Sequence, residues 1–208
     1  FTLLVAVFAA AGCLMSYIVK YRLCFHRPIF LFALLFSLIT SSAYASEHHV
    51  MVIVSDRSAP TLVSGAHQLL QQQPDADIQI RTVSQLNALT DADLQQLIDN
   101  SASILVVGVF GDPVERLLVR QYNNDQKRYV LHSDQRLIEL NSDPVTQSIP
   151  NHILSDKASL STTTLLEAKQ VQYPEYANWL QARAYWVNRS TENSRSLLDM
   201  LLTEGSKK

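Results

Sequence analysis

Cysteine is almost missing from this 208-residue chain: there are two, Cys13 and Cys24, and both fall within the first 45 residues. Residues 46–208 have none. That excludes a disulfide framework, a CxxC metal knuckle and a thiol nucleophile from this part of the chain. Its stability must come from a hydrophobic core, and about 160 residues suffice, since chains of that size bury roughly 70% of their unfolded surface. Acidic residues are missing from 1–45, which hold three of the 17 Lys and Arg and none of the 19 Asp and Glu. The other 14 bases against 19 acids give residues 46–208 a formal charge of −5. This balance supplies neither a basic footprint for nucleic acid nor a polybasic membrane patch. There is no GxGxxG and no GxxxxGK followed by Ser or Thr, so nucleotide binding has no motif behind it.

The first 45 residues have the organisation of an export leader. Lys20, Arg22 and Arg27 form a positive region, and Ile29 to Ile39 is an apolar run interrupted only by Ser37. Ser41-Ser42-Ala43-Tyr44-Ala45 then places small residues where signal peptidase reads, so cleavage would leave Ser46 at the new terminus. The run is shorter than the ~20 residues of a membrane span. Phe1–Val19 is a second apolar stretch with two readings: a transmembrane helix that anchors the chain, or sequence upstream of a start at Met15, which is preferred because Met15–Ala45 has an ordinary signal length.

Beyond Ser46 the pattern predicts strands alternating with short helices. Val50–Val54 and Ile104–Val109 are continuous apolar runs, as strands buried on both faces require. Ile78 and Ile80 alternate with polar residues, and Tyr129–Leu131 makes a fourth strand, with Leu137–Leu140 a short fifth. Pro60 with Leu62, Val63, Ala66, Leu69 and Leu70 predicts a helix, and Thr90 with Asp93 a second helix start. Gly111-Asp112-Pro113 with Glu115 predicts another, capped by Asp112. The expected architecture is α/β, a flavodoxin-like doubly wound parallel sheet over residues 46–145. Residues 146–208 are expected to be mostly helical and to begin a further domain. There a short helix is expected at Leu160–Lys169, a strong one after Pro174, and a third capped by Ser190.

Ligands of such sheets sit beyond the carboxyl ends of the strands. The loops there are Ser55-Asp56-Arg57, Phe110-Gly111-Asp112 and His132-Ser133-Asp134. The helix start after Asp112 can attract an anion, but Asp112 itself repels one, so Asp56 and Asp112 read first as turn and cap residues. His48 and His49 are neighbours on a strand and point to opposite faces, which disfavours a shared metal. His67 and His152 have no partner three or four residues on. Val63-Ser64-Gly65 lacks the pattern of a nucleophile elbow. Asn188-Arg189-Ser190 matches the glycosylation sequon, which a bacterial export signal makes irrelevant. The cluster of Tyr173, Tyr176, Trp179, Tyr185 and Trp186 reads as helix packing before it reads as a ligand platform. No catalytic, cofactor-binding or metal-ligating residue is singled out by the sequence.

Tyr185-Trp186-Val187-Asn188-Arg189-Ser190-Thr191-Glu192-Asn193, followed by Leu197-Leu198 and Leu201-Leu202, resembles a segment of the cobaltochelatase large subunit (CobN) and the related magnesium chelatase H subunit. That family has an aromatic helix end, a short turn, a Glu-Asn pair and a leucine-rich helix. The preceding α/β unit, with its Asp-bearing turn and His132-Ser133-Asp134, is similar to the family's leading domain. Family members are several times longer, and they commonly carry glycines where this chain has Asn188-Arg189-Ser190. The resemblance implies the front part of a protein that inserts a divalent metal into a tetrapyrrole, with ATP-using partner subunits and with the metal and ring held mainly by residues downstream. ATP is not available beyond the inner membrane. The leader and the resemblance together therefore imply a periplasmic relative that binds haem or a corrinoid, or removes its metal, with other chelatase or uptake subunits as partners. The competing expectation is a periplasmic flavodoxin-like binding or sensor module without catalysis. A membrane-anchored interaction domain is the third, if Phe1–Val19 is retained.

Overall fold

A computed structural model of the chain describes residues 49–205, and the leader expected over residues 1–45 lies outside them. Four strands, β1 (His49–Val54), β2 (Asp77–Thr82), β3 (Ser103–Val107) and β4 (Lys127–Leu131), form one parallel sheet in the order β2-β1-β3-β4. The two most apolar strands take the centre. Val50–Val54 and Ile104–Val107 are all 3% exposed or less, so both faces of β1 and β3 are covered. The half-polar β2 and β4 take the edges, where one side of each backbone has no strand partner.

Helix α1 (Ala59–Gln72) links β1 to β2; α2 (Val83–Ala88) and α3 (Asp91–Asp99) link β2 to β3; α4 (Asp112–Leu118) links β3 to β4. The step from β1 to β2 runs one way across the sheet and the later steps run the other way. Right-handed crossovers therefore put α1 on one face and α2 to α4 on the opposite one. Then follow α5 (Gln135–Ile138), α6 (Asn151–Ser155), α7 (Thr163–Gln172), α8 (Ala177–Val187) and α9 (Thr191–Gly205). Helix α9 lies against α1 and crosses β1, β3 and β4 on the α1 face.

Several local expectations are corrected. Leu137–Leu140 is not a fifth strand: α5 occupies Gln135–Ile138, started by the Asp134 side chain accepting from the Arg136 amide at 3.0 Å. A short apolar run fits either period, and the cap decides. Asp112 is the first residue of α4 and not its cap, because Gly111 turns the chain with φ of 76°. The apolar strand expected to reach Val109 ends at Val107, where Gly108 adopts φ of 61°. Helix α2 went unforeseen. Thr82 closes β2 and also caps α2, accepting from the Gln85 amide at 3.3 Å while its own amide donates to Gln85 Oε1 at 3.0 Å. Helix α7 starts at Thr163 and not Leu160, since Thr162 supplies the cap.

Residues 146–205 pack against the sheet through α8 and α9. They belong to the same compact unit, and Leu197, Leu198, Leu201 and Leu202 join the buried cluster of β1 and β3. Asn141, Ser142 and, from this segment, Trp179 finish the β4 edge. The outward Arg128 amide donates to Ser142 Oγ at 3.0 Å and the Arg128 carbonyl accepts from the Ser142 amide at 3.2 Å. The Val130 amide donates to Asn141 Oδ1 at 2.8 Å, and the Val130 carbonyl accepts from Trp179 Nε1 at 3.0 Å. Side chains and one loop thus satisfy groups that would otherwise recruit a further strand.

Gly65 sets the distance between α1 and α9. A Cβ there would lie 2.6 Å from Ser194 Cβ and 2.7 Å from the Arg195 nitrogen. Gly65→Ala gains about 1 kcal/mol of helix propensity, but overpacking costs about 1–3 kcal/mol and the clash includes backbone, which no rotamer relieves. The expected outcome is a net loss of stability in urea unfolding. Asn141→Ala leaves the buried Val130 amide without an acceptor. That is expected to cost about 1–3 kcal/mol by the same measurement.

Candidate functional site

The strand order reverses between β1 and β3, and a cleft opens there beyond the carboxyl ends of the strands, as doubly wound sheets lead one to expect. Its volume is about 540 Å³. All three loops anticipated from the sequence reach it, but through different residues. Ser55, Arg57 and Ser58 line it from the β1 loop, Gly108 and Phe110 from the β3 loop, and His132 and Ser133 from the β4 loop. Asp56, Asp112 and Asp134 are not among the lining residues.

The carboxylates near the cleft are engaged elsewhere. Asp56 accepts from the Ser84 amide at 3.3 Å, and its hydrogen bond with Thr82 holds its carboxyl below the usual range. Asp134 pairs with Arg136 at 2.9 Å, and that hydrogen bond lowers its pKa. Asp156 pairs with Lys169 at 2.9 Å and is pushed down to about 2, chiefly by that bond. The far wall comes from the C-terminal segment: Lys157, Arg183, Trp186, Val187 and Arg189. Arg57, Lys157, Arg183 and Arg189 thus face one space, and among the described residues none of the four has a carboxylate within ion-pair distance.

Arg183 is 5% exposed and lies over the Trp179 ring at 4.9 Å. It donates to the Leu154 carbonyl, while its Nε is buried without a partner. Burial lowers its pKa, against the opposing charge of Asp156. His132 is 7% exposed; its Nδ1 accepts from the Asp134 amide at 2.9 Å, and its Nε2 is buried without a hydrogen bond of ordinary geometry. Burial lowers the His132 pKa and the nearby Arg183 charge adds to this, outweighing the Asp134 carboxylate and the Val109 carbonyl.

Two aromatic rings complete the cleft. Phe110 is 67% exposed and leans on His132 with ring centroids 4.8 Å apart. Trp186 carries the Arg189 guanidinium 4.7 Å from its centroid. Gly108 lies beside Trp186 and is required by its φ of 61°, which side chains rarely adopt; a Cβ there would make only ordinary contact with the indole, at 3.5 Å. The aromatic cluster seen in the sequence is therefore divided. Trp179 is a packing residue that holds the β4 edge, and Trp186 belongs to the cleft wall.

The remaining candidates stay apart from the cleft. His48 lies outside the described residues, and His49 pairs with Asp77 at 2.8 Å. His67 bonds Gln71 at 3.2 Å, and His152 bonds the Tyr173 hydroxyl at 3.2 Å. Ser64 donates to the Pro60 carbonyl at 3.0 Å. Among the described residues no three His, Cys, Asp or Glu side chains converge on one point. None of the described helices is long and apolar enough to cross a membrane. Sequence reasoning missed Lys157, Arg183 and Arg189 as a group. They are scattered through an acidic chain, and no spacing rule links them to Arg57.

A histidine whose folded pKa is depressed costs nothing above its unfolded value of 6.5. As pH falls through that value the unfolded chain takes the proton first, so stability is lost downward from there. The midpoint of urea unfolding should therefore fall between pH 7.5 and 5, and His132→Gln should flatten the slope. An unchanged slope would show that another group carries it. Compared with protein-family models, curated proteins and solved structures, the chain matches none of them.

Proposed function

We propose that this is a flavodoxin-like binding domain at the front of an exported chelatase-type protein, and that its ligand is a flat, carboxylate-bearing tetrapyrrole such as haem or a corrinoid. One observation carries the reading. The segment that resembles the chelatase large subunits, Tyr185–Asn193, supplies Trp186, Val187 and Arg189 to a cleft that also gathers Arg57, Lys157, Arg183 and Phe110. Cations without acidic partners suit carboxylates, and aromatic faces suit a flat apolar ring. The metal in this reading travels with the ligand. Ring distortion and metal transfer belong to chain beyond these residues, with partner subunits, and this domain's part is to bind and orient. An exported setting fits release or uptake of a metallated ring better than an ATP-driven insertion.

The second reading, a periplasmic binding or sensor module without catalysis, draws on the same cleft and needs no resemblance. Titration separates the two. The full chain is mixed with haem, with metal-free protoporphyrin and with a cobalt corrinoid, and absorbance and tryptophan fluorescence are followed. The expected result is a saturable spectral change with at least one of them, weakened about 10-fold or more by Arg183→Met, as loss of a charged hydrogen bond implies. Far-UV circular dichroism checks that the variant is folded. No spectral change with any of the three removes the tetrapyrrole reading and leaves the binding module.

A further inference from the structure

We propose that the mouth of the cleft, between the amino end of α1 and the turn at Asn188–Ser190, is a seat for an oxyanion carried by the ligand, either a phosphate ester or a carboxylate. The inference deepens the binding reading above and rests on the same cleft. Helix α1 is 14 residues long and begins without a side-chain cap and without an acid in its first turn. Such an end carries a partial positive charge from the helix dipole, although the Ser58 and Ala59 amides already donate to the Ser55 carbonyl and Pro60 has no N–H to offer. The residue in the capping position, Ser58, is turned to another use. Its Oγ accepts from Ser55 Oγ at 3.1 Å and from Arg189 Nη1 at 3.2 Å. The two hydroxyls have two protons, and only one is spent between them, so one O–H is left to donate.

Four positive groups line the same cleft. Arg57 and Lys157 are exposed and make no hydrogen bond or ion pair through their side chains among the described residues, and Arg189 is steered toward α1 by Trp186 below it and Ser58 beside it. Arg183 is the independent sign of an occupant. A guanidinium 95% buried is expensive to leave short of partners, and its Nε has none although the side chain lines the cleft. The neighbouring acids that would otherwise neutralise the group are held away, Asp56 by Thr82 and Ser84, Asp156 by Lys169. An oxyanion at the mouth would accept from the spare hydroxyl of Ser55 or Ser58 and from Arg57 and Arg189. It would offset the mutual repulsion of the four cations.

Thermal unfolding of the full chain in inorganic phosphate and in chloride of equal ionic strength tests the seat, together with titration by protoporphyrin and by its dimethyl ester. Phosphate raising Tm by several degrees over chloride supports the seat, provided the gain disappears in Arg57→Gln/Arg189→Gln and survives in Lys127→Gln/Arg195→Gln, which removes the same charge elsewhere. If the free-acid porphyrin binds at least tenfold more tightly than the ester, and the double variant at the cleft erases the difference, the seat holds ligand carboxylates. A phosphate effect with no binding of either porphyrin keeps the seat, assigns it to a phosphate ester and removes the tetrapyrrole reading. Equal Tm in both salts with equal binding of acid and ester overturns the seat and leaves the tetrapyrrole reading standing.

Discussion

Helix α9 can reach the sheet only because α1 carries a glycine where the two helices meet. With no side chain at Gly65, the Ser194 region of α9 comes into backbone contact, and its four leucines settle on β1 and β3. That contact lies in the first turns of α9, so it also fixes the turn that leads into the helix. The turn before α9 is drawn over the carboxyl ends of the strands, and Trp186 and Arg189 arrive beside Gly108 and Ser58. Without it the loops after β1, β3 and β4 would form an open, shallow edge. With it they become the floor of a cleft whose far wall is built from Lys157, Arg183, Trp186, Val187 and Arg189.

The cleft is a local reversal of the overall charge. Residues 46–208 have more acids than bases, yet Asp56, Asp134 and Asp156 are tied into a hydrogen bond with a helix amide or into ion pairs away from the cleft. Pairing these acids with groups outside the cleft leaves the cations inside it without a carboxylate at ion-pair distance among the described residues. Close in space and partly shielded from water, these cations repel one another more strongly than they would in bulk solvent. Such an arrangement is costly to an empty protein and useful to one that receives an anion. Phe110 adds an exposed apolar face at the same place, so the cleft presents both charge and a flat hydrophobic surface.

The β4 edge shows how a four-stranded sheet ends without a fifth strand. Leu137–Leu140 has the composition of a strand, but Asp134 caps it as a helix, and its neighbours Asn141 and Ser142 take over the hydrogen bonds a strand would have made. Trp179 supplies the last one from α8. A side chain that reads in the sequence as one of five clustered aromatics thus closes the sheet. Trp186, seven residues on, lies on nearly the same face of α8 but two turns further along, where it lines the cleft instead of the sheet edge.

From the sequence alone came the parallel α/β character, the two central strands, the Thr90 and Ser190 caps and the place where loops meet. Each of these depends on local periodicity, capping chemistry or the handedness of crossovers, and such properties are carried by short stretches of chain. Tertiary structure alone decided that residues 146–205 complete the same core, that Asp56 and Asp112 stay out of the cleft, and that Arg57, Lys157, Arg183 and Arg189 share it. The physical reason is that charge clustering is a matter of distance in space. Four cations scattered over 133 positions acquire a common neighbourhood only when a helix packed on a glycine brings their segments together.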